Sequence, residues 1–191
     1  MNILKIDSLK LDDILKISIE SLKKGEIIVC PTDTVYGLIC DALNKKAVEK
    51  IFKVKKRETS KPLGIFVKDI KNAKKFAFID KNKEGFLKDN KVTAILRAKK
   101  ETLSELVYKD GTIGMRIPNY EILNLILEKF GKPVAQTSAN ISGKFATTKI
   151  DDILGQFAME DVIIIDAGDL PESKPSQIVD LTKNNIKIIR E

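Results

Sequence analysis

The chain has 191 residues, of which 43% are hydrophobic, and a formal net charge of +7. It contains no histidine and only two cysteines, Cys30 and Cys40, which excludes hydrolases that need a histidine base and zinc sites built on imidazole. No stretch approaches the ~20 apolar residues of a membrane span. We therefore expect a single soluble, cytoplasmic domain over residues 1–191.

Periodic apolar residues predict five helices. The first is expected to begin from a cap at Ser8 or Asp12 and to end at Gly25, where a left-handed residue is favoured. The other helices are predicted over residues 44–55, 71–88, 120–130 and 150–157. Strands are predicted over residues 26–30, 62–67, 92–96, 112–117, 133–136, 162–165, 176–181 and 186–190.

The alternation of helices and strands predicts an α/β fold. A short polar turn over 182–185 joins the last two strands, which makes them antiparallel neighbours and the sheet a mixed one. Several strands end in threonine, serine, asparagine or arginine, and we expect these side chains to gather along one rim of the sheet. That rim is the candidate site.

The arginines indicate which ligands the site takes. The net charge suits nucleotides or RNA, although a lysine-rich surface can also serve solubility alone. Arginine is used only four times, and its planar fork suits carboxylates and phosphates. Arg57, Arg116 and Arg190 stand at strand or helix ends. The cysteines form no CxxC pair and are interpreted as small apolar residues near strand and loop ends.

Each polar motif has two interpretations when it is taken alone. The segment 31–37, PTDTVYG, can bind a polar ligand or satisfy a turn. The basic residues 55–61 can clamp phosphates or complement a helix dipole. The segment 138–143, SANISG, can present a hydroxyl and an amide together or form a turn. Neither GxxxxGK[ST] nor GxGxxG is present, so ATP would bind by another design.

Together and in this order, the motifs resemble the YrdC-like threonylcarbamoyl-adenylate synthase family. The resemblance runs from Pro31 to Arg190. It is carried by PTDTVYGL at 31–38 with Asp41-Ala42, Lys55-x-Arg57 with KPL at 61–63, Ser138-x-Asn140 with Ser142-Gly143, and the closing pair Ser176 and Arg190. Five motifs in register are far more specific than any one of them.

The resemblance implies an open, twisted mixed sheet flanked by helices, with a concave basic face. It implies that L-threonine, bicarbonate and ATP form threonylcarbamoyl-AMP with release of pyrophosphate. A partner transferase would then modify adenosine 37 of ANN-decoding tRNAs. ATP is a substrate in this reaction, and Mg²⁺ is expected to be held mainly by its phosphates rather than by a protein metal site. Direct contact with tRNA or double-stranded RNA is also possible.

The family motifs also assign residues by resemblance. Lys55 and Arg57 are the expected catalytic residues. The expected ATP contacts are Arg57, Lys61, Thr112, Ser138, Asn140, Thr148 and Arg190. The expected threonine contacts are Thr34, Arg116 and Ser176. Fixed cations are the groups this reaction needs, because a dianion must approach a polyphosphate.

Departures from the family pattern leave two alternatives open. The segment 88–93, KDNKVT, replaces a Trp-Pro-Gly-Pro-Leu-Thr stretch, Ile39 stands at a usual glycine, and Gln177 replaces a threonine. The first alternative is a YciO-like RNA-binding paralogue, against which Lys55-x-Arg57 and Ser138-x-Asn140 argue. The second is the carbamoyl-transfer domain of a maturation factor, against which the missing zinc-finger cysteines and the apparent completeness of the chain argue.

Overall fold

Strands and helices alternate along the chain in a computed structural model that describes residues 2–89, 91–99, 102–183 and 185–191. The described helices are α1 Leu11–Lys24, α2 Lys45–Lys55, α3 Ile70–Ala73, α4 Lys81–Lys88, α5 Glu121–Phe130 and α6 Ile150–Phe157. The described strands are β1 Asn2–Lys5, β2 Ile27–Cys30, β3 Gly37–Asp41, β4 Gly64–Phe66, β5 Val92–Arg97, β6 Tyr108–Lys109, β7 Thr112–Arg116, β8 Val134–Ser138, β9 Val162–Asp166, β10 Gln177–Asp180 and β11 Lys187–Arg190.

Most predicted elements are present, with three differences. Helix α1 has Lys10 at its N-cap without a side-chain bond, so the caps predicted at Ser8 or Asp12 are wrong. The helical stretch predicted over 71–88 is wrong as one element, because it divides into α3 and α4, and Asp80 caps the second with a bond to the Lys83 amide. Strands β1, β3 and β6 were not predicted.

All of these strands join one mixed sheet, as the sequence predicts. The order is β1-β9-β2-β3-β8-β4-β7-β5-β10-β11, and β6 pairs with β7. Pairs β1/β9, β2/β9, β4/β7 and β5/β10 are parallel, and the other neighbours are antiparallel. The last pair, β10/β11, is antiparallel as predicted. The turn predicted there includes Asn184, which lies outside the described residues.

The sheet carries a hydrophobic core on each face. On one face, α2, α4 and α6 pack on side chains such as Val29, Leu38 and Met115. On the other, α1 and α5 pack on Ile28, Ile39 and neighbouring apolar residues. Both cysteines are buried, and burial raises the pKa of each thiol. No helix of the described residues is long and apolar enough to cross a membrane.

The face under α1 and α5 continues beyond these helices over strands β5, β7 and β10. Successive side chains of a strand point to opposite faces. Residues on the α1 side therefore include Phe66 in β4 and Val134 in β8, both of which pack in that core. Continuing the same alternation places Gly64, Arg116 and Gln136 on this face, where a cavity lies against the sheet.

Candidate active site

A cavity of about 390 Å³ lies on this open half of the sheet. Its floor is made of alternate residues of five strands, all on one face. These residues are Gly64 and Phe66 of β4, Thr93 and Ile95 of β5, Thr112, Gly114 and Arg116 of β7, Gln136 and Ser138 of β8, and Ile178 of β10. The candidate site therefore occupies the face of the sheet and extends beyond the predicted rim.

Two glycines, Gly64 and Gly114, leave space above the sheet because they have no side chains. A Cβ atom on Gly64 would lie 2.8 Å from Gln136 Nε2. A Cβ atom on Gly114 would lie 3.7 Å from the Cα of Gly64, on the neighbouring strand. Any larger residue at Gly64 therefore displaces Gln136 or takes up ligand space. Glycine inside a strand usually weakens a sheet, and the need for ligand space accounts for glycine at these two strand positions.

Three arginines from distant parts of the chain line this cavity: Arg57, Arg116 and Arg190. Arg57 follows α2, and its guanidinium donates to the carbonyls of Lys61 at 2.9 Å and Pro62 at 3.2 Å. Arg190 ends β11 and donates through Nε and Nη2 to the Ser176 carbonyl. The backbone thus holds two guanidiniums in place without neutralising their charge.

Arg116 differs from the other two because a carboxylate neutralises it. Its Nη2 lies 2.8 Å from Asp33 Oδ2, and its Nη1 donates to Thr34 Oγ1 at 3.1 Å. The Arg116 side chain is only 3% exposed, and its guanidinium carbon lies 5.7 Å from the Phe66 ring centroid. Burial lowers the pKa of Arg116, and the Asp33 charge opposes that shift.

The three guanidiniums also act on one another. Burial lowers the pKa of Arg57, and the charge of Arg190 lowers it further. The pKa of Arg190 is lowered by burial and then by Arg116. Like charges held close together in a partly buried cleft repel, and a bound anion relieves that repulsion. The arrangement is therefore suited to a ligand with several negative charges.

A second cavity, of about 250 Å³, adjoins the first. Arg57 and Ser138 line both cavities, so the two spaces meet at these side chains. The second cavity is lined by Lys55, Lys56, Arg57, Glu58, Lys61, Ser138, Asn140, Ser142 and Gly143. Lys61 forms an exposed ion pair with Glu58 at 3.2 Å. Cations at the end of α2 thus face the segment that follows β8.

Lys55 is buried between these two elements. It is 2% exposed, and its Nζ donates to the carbonyls of Ser138 and Asn140 at 2.6 Å each and to Asn140 Oδ1 at 3.1 Å. Burial lowers the pKa of Lys55 to about 7, with a further contribution from Arg57. Its three acceptors match the three N–H donors of an ammonium group.

The pair Ser138 and Asn140 is held by this lysine and by its own bonds. Ser138 Oγ donates to Asn140 Oδ1 at 2.7 Å, so the two side chains lie on the same side, as predicted. Asn140 Nδ2 donates to the carbonyls of Ile141 and Lys144 at 3.1 and 2.7 Å. The loop after β8 is therefore fixed in shape beside the second cavity.

Hydroxyl groups complete the wall of the first cavity. Thr34 is buried, and its Oγ1 lies 3.1 Å from Thr32 Oγ1. Ser176 is buried as well, and its Oγ lies 2.9 Å from Thr93 Oγ1. Tyr36 also lines the cavity, while its hydroxyl donates to the Gly168 carbonyl at 2.6 Å. Of these hydroxyl groups, that of Thr34 also accepts a hydrogen bond from Arg116.

The structure brings together nearly all of the residues predicted to be catalytic or to contact ATP or threonine. Among the described residues, Thr148 alone of that set lines neither cavity, and its carbonyl accepts from the Leu170 amide. Sequence reasoning missed Thr93, Lys109 and Gln136, which line the first cavity. Gln136 lies two residues before Ser138 in one strand, so the alternation of side chains would have predicted that Gln136 faces the same cavity.

A family model named Sua5_yciO_yrdC, with the description "Telomere recombination", matches residues 20–191. The chain belongs to this family. A protein of Methanocaldococcus jannaschii, provisionally named threonylcarbamoyl-AMP synthase, is 39% identical over 197 residues, covering 99% of this chain and 92% of the relative. The family resemblance that the sequence motifs predicted is therefore confirmed.

Solved structures of this family share the fold of the chain. Sua5 of P. abyssi complexed with L-threonine aligns with a TM-score of 0.91 and 28% identity over 100% of this chain. The chain spans 57% of the length of that protein. YciO of E. coli aligns with a TM-score of 0.87 and 28% identity over 100% of this chain and 94% of YciO. These likenesses confirm the predicted open, twisted α/β sheet flanked by helices.

Proposed function

We propose that this protein makes threonylcarbamoyl-AMP from L-threonine, bicarbonate and ATP and releases pyrophosphate. The observation that carries the proposal is the convergence of Arg57, Arg116 and Arg190 on one cavity, which adjoins a second cavity lined by lysines. Support also comes from the M. jannaschii relative and from the L-threonine complex of P. abyssi Sua5.

The cations fit the electrostatic demand of the reaction. Bicarbonate first carboxylates the threonine amine with loss of a water molecule, and the resulting carbamate oxygen then attacks the α-phosphorus of ATP while pyrophosphate leaves. A dianion approaches a polyanion, so fixed positive charge and positioning lower the barrier. Arg57 and Arg190 carry charge that no carboxylate of the described residues neutralises within ion-pair distance. Neither side chain needs to donate or accept a proton.

The proposal places the triphosphate where the two cavities meet. Arg57 contacts the transferred α-phosphate there, because it lines both spaces. Lys61, Ser138 and Asn140 bind from the second cavity, and Thr112 and Arg190 bind from the first. Lys55, which the motifs predict to be catalytic, is instead given a positioning role in this proposal, because its ammonium donates to Ser138 and Asn140. Thr148 reaches ATP only if its loop moves, since it lines neither cavity of the described residues.

The threonine lies deeper in the first cavity in this proposal. Arg116 binds its carboxylate, and the hydroxyls of Thr34 and Ser176 lie on either side. All three residues are buried, so their hydrogen bonds form away from bulk water and gain strength.

Further parts of the proposed function concern a metal ion and macromolecular partners. Among the described residues, no group of three or more potential metal ligands gathers. The proposal accordingly assigns Mg²⁺ coordination mainly to the phosphate oxygens. As a nucleotidyltransferase of the cytoplasm, the protein would supply a partner transferase that modifies adenosine 37 of ANN-decoding tRNAs. The +7 net charge suits direct contact with tRNA.

The test is to detect the product by mass spectrometry. Protein is incubated with ATP, Mg²⁺, bicarbonate and L-threonine, and the adenylate fraction is analysed against a reaction without protein. We expect a threonylcarbamoyl-AMP mass that gains one unit with ¹³C-bicarbonate. Turnover of ATP without this adduct would contradict the proposal and would favour a YciO-like protein with another role.

A further inference from the structure

One acidic side chain, that of Asp33, pairs with an arginine of the first cavity, and no motif comparison assigns it a role. Asp33 follows the buried Thr32 and precedes Thr34, and its side chain is 12% exposed. Its Oδ2 lies 2.8 Å from Arg116 Nη2. Apart from this ion pair, no described residue donates a hydrogen bond to either Asp33 oxygen. A buried carboxylate with so little other support depends on its cation.

The pairing divides the three arginines into two kinds. Asp33 cancels the charge of Arg116, whereas Arg57 and Arg190 donate to backbone carbonyls and keep theirs. Phosphate groups are drawn to uncompensated cations, and the Asp33 charge repels them from Arg116. An amino acid carries no net charge, and its carboxylate still finds donors on a guanidinium fork.

We propose that Asp33 is a specificity-determining residue, which neutralises Arg116 and so reserves that part of the cavity for an amino acid while polyphosphate is directed to Arg57 and Arg190. The assignment rests on the proposed function for the identity of the two ligands. Asp33 also fixes the guanidinium by its contact at 2.8 Å, together with the Thr34 hydroxyl. It acts through Arg116 and is a positioning residue, not a catalytic one.

The test compares Asp33→Asn with the wild-type chain in two calorimetric titrations, one with L-threonine and one with sodium pyrophosphate. We expect threonine affinity to fall by about 30-fold, because the Arg116 guanidinium is no longer held in position for the threonine carboxylate. We expect pyrophosphate affinity to rise by about fivefold, because less of the Arg116 charge is then compensated. Opposite changes in the two affinities are a result that general damage to the cavity does not produce.

Glu128→Gln is the matched control, since it removes one carboxylate from an exposed ion pair with Lys68. Both affinities should stay at the wild-type level in that variant. If Asp33→Asn does not fold, the same two titrations are made with Asp33→Glu. The longer side chain shifts Arg116 but keeps the negative charge. Threonine affinity should then fall, and pyrophosphate affinity should not change. Unchanged threonine affinity in the folded variant, or a fall in both affinities, would overturn the assignment.

The two titrations keep this inference separate from the proposed function. A wild-type protein that binds both ligands but makes no threonylcarbamoyl-AMP would contradict the proposed reaction. The Asp33 assignment would still be judged by the direction of the two affinity changes. If the wild-type chain binds no threonine, the pyrophosphate titration alone decides, and equal affinities in Asp33→Asn and wild type would overturn the assignment.

Discussion

The two halves of one sheet face differ in what covers them. Over β2, β3 and β9 the face carries Ile28, Ile39 and Ile165, on which α1 and α5 pack. Over β5, β7 and β8 the same face carries Thr93, Arg116 and further polar residues, and the cavity lies against them. A helix can cover only an apolar surface at low cost. The comparison indicates that the polar half stays uncovered for a ligand, and that the protein buries less apolar surface there as a result.

Arg57→Ala should have the largest effect on activity, and it should affect the site on the open half of the sheet without lowering the stability of the covered half. Arg57 lines both cavities and bonds only loop carbonyls, so its loss removes cation charge from the proposed transition state. We expect kcat/KM for threonylcarbamoyl-AMP synthesis to fall by about 100-fold or more. The melting temperature should stay within a few degrees of wild type.

Lys144→Ala is the control for this variant, because the Lys144 side chain lies exposed beside the same cavities and only its backbone bonds Asn140. Its turnover should equal that of the wild type. Normal turnover in Arg57→Ala would reject the proposed role of the arginine cluster.

Leu123→Ala tests the covered half. Leu123 is fully buried in α5 within the core formed with α1. Its truncation should lower the free energy of unfolding by about 2–5 kcal/mol, measured by urea denaturation. Turnover per folded molecule should not change at a temperature where the variant is folded. A specific loss of activity without destabilisation would mean that the two halves are not separate in role.

Lys55→Met tests the buried bonds of Lys55 with Ser138 and Asn140 through the pH dependence of stability. Burial lowers the pKa of Lys55 to about 7, below its ordinary value of 10.5. Between these two values the unfolded chain binds more protons, so the Lys55 contribution to the free energy of unfolding rises with pH. The deficit in melting temperature of Lys55→Met should therefore be larger at pH 9.5 than at pH 6.5. A deficit that shrinks with rising pH would contradict this account.

Gly64→Ala should have the smallest effect. The added Cβ would lie 2.8 Å from Gln136 Nε2 and would raise the cavity floor. We expect KM for L-threonine to rise and stability to fall by about 1 kcal/mol. Gly85→Ala is the control, because nothing lies within 4 Å of its Cβ and alanine suits helix α4 better. That variant should be slightly more stable, with unchanged KM.

The sequence predicts the elements well where the apolar pattern is strong. Helices α2, α5 and α6 follow clear helical spacing, and Asn44 caps α2 by accepting from the Ala47 amide. Strand β3 was missed because Pro31 and the polar residues after it indicate a loop, and Gly37 opens a strand immediately beyond them. Its place in the sheet depends on pairing with β2 and β8, which no local pattern reveals.

The sequence predicted most of the charged and hydroxyl residues that lie around the two cavities, but not how they bond to one another. The motifs identified residues that surround the two cavities, and the family resemblance gave them roles that stay predictions. The pairing of Asp33 with Arg116 joins residues far apart in the chain, so only the sheet topology reveals it. The bonds that the Lys55 ammonium donates to the carbonyls of Ser138 and Asn140 likewise join residues far apart in the chain.

The most direct test of the central claim is pyrophosphate release measured with and without L-threonine at saturating ATP, Mg²⁺ and bicarbonate. The account predicts release that depends on threonine and that Arg57→Ala lowers by about 100-fold or more. Release at the same rate without threonine, or no release by a protein that is folded and binds ATP, would contradict it.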